Sequence, residues 1–219
     1  MRGARELETF VREHTAIAVT ALVPEIALHL ATEITPLWSA TAEWLVERGV
    51  PPPFWAFAWA GGQALSRHLL DHPALVRELR VLDFAAGSGL VGIAAAKCGA
   101  SRVTAVDVDE FAEVAIRMNA ILSGVAITVE CDDAIGHPLD NYDVILAGDV
   151  FYEQPMASRV GPWLRERARA GRTVLVGDPG RAYMLERDGI EELARYDVPT
   201  SVDLEGRPSR TAGVFRVVG

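Results

Sequence analysis

Arg80 to Asp107 leaves the chain few ways to fold, because a strand, a glycine-rich turn, a helix and a second strand follow one another there without a break. The apolar run through Phe84 reads as a buried strand, and Leu90 to Cys98 reads as a helix closed by Gly99. Arg102 to Val106 then forms a strand that delivers Asp107, 18 residues beyond Gly89. A glycine turn that opens a helix, with a carboxylate at the tip of the next strand, is the architecture of a nucleotide-like cofactor site.

Gly87, Gly89 and Gly92 satisfy G-x-G-x-x-G, a pattern that alone also admits a dinucleotide. Asp83 separates the two cases. A carboxylate at the mouth of the turn repels a pyrophosphate but suits a cationic ligand. S-adenosylmethionine carries an ammonium and a sulfonium, and its carboxylate can use the free N–H groups at the start of the Leu90 helix. Asp107 is then placed to accept hydrogen bonds from both ribose hydroxyls. A third strand, Ile127 to Glu130, ends in Asp132 and Asp133, where a carboxylate can accept from the adenine amino group; Asp132 can equally cap a turn.

Half of the 219 residues are hydrophobic, enough for one α/β core and too few for two. A net charge of −9 argues against nucleic acid or an anionic membrane as partner and favours a basic substrate. Cys98 and Cys131 lack metal-ligand spacing and read as reduced thiols, and no apolar run reaches membrane-spanning length. Met1 to Glu13 has no apolar signal core, so a cytoplasmic protein, taken as a monomer, is expected.

Before the cofactor unit, Leu7, Phe10 and Val11 share one helix face, the apolar segment Pro24 to His29 follows, and Ala42 to Val46 reads as a short helix ended by Gly49. Residues 1–50 are therefore expected to be a helical extension, with 51–219 as one compact unit. Three prolines then stiffen the entry to Phe54-Trp55-Ala56-Phe57-Ala58-Trp59. Trp59 and Gln63 flank Gly61-Gly62, just before a helix from Gln63 to Leu70, where backbone can approach a ligand closely. His68 and His72 share a helix face, but no third ligand with zinc spacing accompanies them, so no metal site is expected.

Beyond Asp107, Glu110 to Ser123 is an amphipathic helix, and Tyr142 to Gly148 a fourth strand that ends in Asp149-Val150-Phe151-Tyr152. Open α/β sheets bind ligands at the carboxyl ends of their strands, so Asp149 and Tyr152 face the same crevice as Asp83 and Asp107. Pro155 to Arg169 is a helix, Thr173 to Val176 a fifth strand, and a further helix is expected near Ala182 to Glu186. Leu193 to Val198 and Ala212 to Val218, joined through Asp203 to Pro208, read as an antiparallel pair closing one sheet edge.

The chain resembles a seven-strand S-adenosylmethionine-dependent methyltransferase. Within that superfamily, the stretch from Pro53 to Arg67, Gly148-Asp149-Val150-Phe151-Tyr152 and Gly177-Asp178-Pro179-Gly180-Arg181 resemble the electron transfer flavoprotein β-subunit lysine methyltransferases, with similarity from about Val23 to the C-terminus. The resemblance implies a Rossmann-like, mostly parallel sheet of order 3-2-1-4-5-7-6 with helices on both faces, and methylation of protein lysines. It makes Asp149 and Tyr152 catalytic, Asp149 orienting the incoming amine and Tyr152 or a water relaying the proton, with Trp59 walling the methyl path. Ala85, where many members have glycine, and Val108 after Asp107 join the expected cofactor contacts beside Asp149. The alternative acceptors are a ribosomal protein or a small amine of the nicotinamide type, and a different class altogether is a cofactor-binding module without turnover.

Overall fold

The computed structural model describes residues 3–202, 206 and 208–219. Its elements run α1 (Ala4–His14), β1 (Ala16–Val19), β2 (Ala27–Leu30), α2 (Ala42–Glu47), α3 (Ala60–Asp71), β3 (Arg80–Phe84), α4 (Leu90–Lys97), β4 (Arg102–Asp107), α5 (Glu110–Leu122), β5 (Thr128–Cys131), β6 (Val144–Gly148), α6 (Gln154–Arg169), β7 (Thr173–Asp178), β8 (Ile190–Pro199) and β9 (Ser209–Val217).

The seven strands from β3 onward form one sheet, ordered β5-β4-β3-β6-β7-β9-β8. Counted from β3 this is the order 3-2-1-4-5-7-6, and only β9 runs against the rest. The order reverses beside β3, where β4 leaves on one side and β6 on the other, so the crevice at the carboxyl ends of β3 and β6 is where a ligand belongs.

Each strand of that central group is apolar on both faces because helices cover both. Leu65 and Leu69 of α3 and Ile93 of α4 pack with Val81, Leu146 and Leu175, while Phe151 and, on α6, Trp163 and Leu164 pack with Ile145, Val174 and Val176. A third cluster joins Leu7 and Val11 of α1 to Phe111 and Ile116 of α5 and to Trp55. The amphipathic face read at Leu7, Phe10 and Val11 is thus the one that meets α5.

Two expectations are corrected. The N-terminal extension is not wholly helical: Ala27–Leu30, within the apolar segment that begins at Pro24, is a strand paired antiparallel with Ala16–Val19. Its partner β1 turns Ile17 and Val19 outward and its alanines inward, so the usual alternation is inverted. Ala182 to Glu186 is a turn and extended chain with no helix. Asp178 holds the preceding loop by accepting the Gly180 and Arg181 amides, and five residues cannot offset the cost of helix nucleation alone. The expected link from Asp203 to Pro208 lies partly outside the described residues.

The first turn of α3 is seated on the sheet by backbone contact. A Cβ on Gly177 would overlap the Gly61 carbonyl, and a Cβ on Gly148 would come within 2.8 Å of the Gly62 Cα. Replacing Gly177 by Ala should therefore cost about 2–3 kcal/mol through overpacking. A urea midpoint indistinguishable from that of the native chain would show that α3 can lift from β7 without loss.

Candidate active site

β3 delivers Asp83 into the interior, 1% exposed, where Oδ2 accepts the Gly92 amide of α4 at 2.7 Å. Burial raises its carboxyl to about 7, against the Gly92 hydrogen bond, and the Asp107 charge pushes the same way. β4 ends at Asp107, whose Oδ2 accepts the Gly87 amide at 2.9 Å and whose Oδ1 accepts the Asp109 amide at 3.1 Å. The turn and the strand tip are thereby tied together. Burial raises Asp107 as well.

The turn itself stays open through left-handed backbone at Ala85, Gly87 and Gly89, with φ of 51°, 53° and 78°. Ala85 adopts there the conformation that glycine takes without steric cost. Val108 is 71% exposed immediately after the strand tip, an apolar face beside Asp107. At the end of β5 the two carboxylates separate: Asp133 pairs with Arg159 of α6 at 2.6 Å, whereas Asp132 is exposed and accepts only the Asp133 amide at 2.8 Å among its described hydrogen bonds. Asp132 is thus the one of the pair still able to meet an adenine amino group.

Asp149 follows directly on β6 and is 7% exposed and left-handed at φ 57°. Its Oδ2 accepts the amides of Gly61 and Gly62 at the start of α3, and its Oδ1 accepts Nε and Nη2 of Arg181 at 3.1 and 2.8 Å. Burial raises its carboxyl to about 6, against the Arg181 charge, while Asp178 adds to the rise. Trp59 caps α3 with its indole N–H donating to the Phe54 carbonyl at 2.9 Å, and the Arg181 guanidinium lies 5.9 Å from a Trp59 ring centroid. Gln63 donates to the Ala58 carbonyl at 2.6 Å, and its Oε1 is buried without a protein partner. Tyr152 is 41% exposed, 5.4 Å from the Phe54 ring, and burial raises its hydroxyl first, then the charges of Glu153 and Asp107.

The sequence-predicted residues therefore gather along one edge of the sheet, with Asp133 drawn aside to α6. Sequence reasoning missed Arg181, quoted only as part of a loop, and Asn119, which donates to the Ser88 carbonyl at 2.8 Å and accepts the His29 amide at 2.7 Å. The outward sign of Asn119 was a polar residue on the buried face of α5. His68 and His72, ring to ring at 4.6 Å, lie at the opposite end of α3 in a groove of about 660 Å³, His68 Nδ1 facing the Tyr196 hydroxyl. Among the described residues no His, Cys, Asp and Glu group has the makings of a metal site, and no helix is long and apolar enough to cross a membrane.

Carboxyls at β3 and β4 raised by burial, an orphaned acceptor on Gln63 and a glycine cradle fit a cofactor that is cationic where it meets β3 and offers ribose hydroxyls at β4. The fold and this site are those of an S-adenosylmethionine-dependent methyltransferase. The family model for ribosomal protein L11 methyltransferase (PrmA) matches residues 63–149. Among solved structures, ribosomal protein L11 methylase from Lactobacillus delbrueckii subsp. bulgaricus superimposes with a TM-score of 0.52 at 21% identity, covering 73% of this chain and 79% of that one. Magnesium protoporphyrin IX methyltransferase from Synechocystis PCC 6803, with the cofactor bound, gives 0.52 at 19%, covering 71% and 76%.

The electron transfer flavoprotein beta subunit lysine methyltransferase of Danio rerio is 36% identical over 96% of this chain and 83% of its own, and that of Xenopus laevis 39% over 90% and 81%. The chain belongs to that family, and S-adenosylmethionine is its methyl donor.

Asp83 and Asp149 are raised above the unfolded carboxylate value of about 3.9. The unfolded chain therefore releases these protons first, and the cofactor-free protein loses stability as pH climbs from about 4 to 7. Asp83→Asn keeps an acceptor for Gly92 but removes the charge. The cofactor-free variant should melt above the native chain at about pH 8 while binding S-adenosylmethionine more weakly. Equal melting of the two across that range would disprove the burden on Asp83. Ala85→Gly should relieve about 1 kcal/mol of backbone strain, raising the thermal midpoint without weakening cofactor binding.

Proposed function

We propose that the chain methylates lysine side chains of a protein acceptor, the electron transfer flavoprotein β subunit. The observation that carries this reading is the relationship over nearly the whole chain to enzymes named for that acceptor, joined to an open aromatic rim at the site: Phe54 is 49% exposed and Tyr152 41%. A small amine needs an enclosing lid, whereas a lysine on a folded partner needs an accessible mouth. The family model for the ribosomal-protein methyltransferase matches residues 63–149, the stretch that carries the cofactor turn.

S-adenosylmethionine supplies an electrophilic methyl group. Asp83, Gly87, Gly89 and Asp107, with Ala85, Val108 and Asp132 around them, hold the cofactor, and Trp59 and Gln63 close its other side at the start of α3. The acceptor amine must be neutral to attack, and lysine's pKa of about 10.4 is lowered by desolvation at the mouth. Asp149 orients the amine and, being a carboxylate in a dry setting, stabilises the positive charge that grows on nitrogen. Tyr152 stands at the rim to pass the released proton to water. The net charge of −9 supports a basic protein partner over nucleic acid or membrane, and with two free cysteines it supports a cytoplasmic monomer.

Purified chain incubated with radiolabelled S-adenosylmethionine and electron transfer flavoprotein should label the β subunit on lysine. Asp149→Asn should lower that transfer by about 10²–10³-fold, the range for removing a preorganised electrostatic contact, with cofactor affinity little changed. Label on a ribosomal protein, or on small amines alone, would replace the acceptor; loss of transfer and cofactor binding together would remove Asp149 from the reaction.

A further inference from the structure

Asp149 is a buried carboxylate whose two oxygens have different duties. Oδ2 is spent on α3, accepting the Gly61 and Gly62 amides. Oδ1 faces a cation, and that cation belongs to the chain itself: Nε and Nη2 of Arg181 converge on this single oxygen at 3.1 and 2.8 Å. The strongest guanidinium–carboxylate pairs spread two N–H groups over two oxygens. Here the second oxygen is taken, so the pair is held in a form that one ammonium can replace.

The other wall of the same space is aromatic. The Arg181 guanidinium carbon lies 5.9 Å from a Trp59 ring centroid, and the Trp59 ring neighbours those of Phe54 and Phe57 at 6.2 and 5.7 Å. A carboxylate oxygen beside aromatic faces is the composition that recognises an organic ammonium. Loss of the cation at Asp149 would also be costly, because a buried carboxylate stripped of its partner is strongly destabilising. Arg181 is well placed to come and go. It closes the Gly177–Arg181 loop, its backbone amide is fixed on Asp178 Oδ1 at 2.7 Å, and its side chain is 18% exposed against 6% for Asp149. The backbone anchor on Asp178 does not depend on where the guanidinium points, so exchange at Asp149 leaves the loop in place.

We propose that Asp149 and Trp59 form a site for a primary alkylammonium head group, and that Arg181 occupies it as an internal stand-in which the acceptor lysine displaces. The inference rests on the lysine-acceptor reading and adds an entry step to it: one cation is exchanged for another at Asp149 Oδ1, so the carboxylate keeps a cationic partner during entry, until the bound ammonium gives up its proton.

Two experiments test this, with n-butylammonium chloride as probe and equal sodium chloride as control. In the native protein, exchange exposes the guanidinium, so n-butylammonium should raise phenylglyoxal modification of Arg181 severalfold, read by peptide mass spectrometry. In Arg181→Met the site is vacated. An occupant present about nine-tenths of the time lowers apparent affinity tenfold, so n-butylammonium should inhibit that variant about tenfold more strongly, and KM for the protein acceptor should fall. Arg181→Lys, which restores a cation, should move both values back toward the native ones.

Unchanged or reduced modification of Arg181 with the probe overturns the proposal, as does a raised KM in Arg181→Met, which would make Arg181 a fixed positioning residue for Asp149. Should Arg181→Met fail to bind S-adenosylhomocysteine or to melt cooperatively, the modification experiment on the native protein decides alone. Absence of methyl transfer by the native chain to any protein would sink the lysine reading, whereas the phenylglyoxal result judges the cation site independently.

Discussion

The first turn of α3 rests on the carboxyl ends of β6 and β7 through backbone alone, with Gly61 against Gly177 and Gly62 against Gly148. Two amides at that helix start, which no intrahelical carbonyl can satisfy, donate to Asp149 instead, and the Asp149 amide donates to the Gly177 carbonyl at 2.9 Å. Helix, strand ends and carboxylate therefore lock one another. Trp59 and Gln63 inherit their positions from this seat, since both belong to the same turn. A side chain on Gly61, Gly148 or Gly177 would push the helix from the strands and shift Trp59 and Gln63 with it.

The same region concentrates uncompensated negative charge. Asp83 and Asp107 are held by amides rather than by cations, and burial raises both. Such carboxyls oppose folding at neutral pH and favour a cationic ligand, so instability of the empty site and affinity for the cofactor share one cause. Asp149 differs in that a cation is supplied from within the chain. That contrast separates a pocket that waits for a cationic cofactor from a mouth where one cation is exchanged for another.

How much of this was legible follows from where the information sits. The βαβ unit is local: alternation of buried strand, glycine turn and helix over Arg80 to Asp107 is written in consecutive residues, and the structure places Asp83, Gly87, Gly89 and Asp107 together. The sheet order came through the resemblance, because no local pattern tells a chain which strands will be neighbours. The β1–β2 hairpin hid because Ile17 and Val19, 60% and 53% exposed, face outward, so hydrophobicity there runs against burial. The pairing of Asp149 with Arg181 spans 32 positions, and only the fold brings the two together.

Asn119 shows the limit of reading the first 50 residues as an appendage. On the buried face of α5 it makes one bond to Ser88 in the cofactor turn and one to His29 in β2, and it is fully enclosed. An unpaired amide in that setting costs about 1–3 kcal/mol, so loss of either partner is felt at the other. Leu7 and Val11 press on α5 from the same side, sharing a core with Phe111 and Ile116. The hairpin is therefore part of what fixes the glycine turn from behind, and it does so through Asn119 of α5.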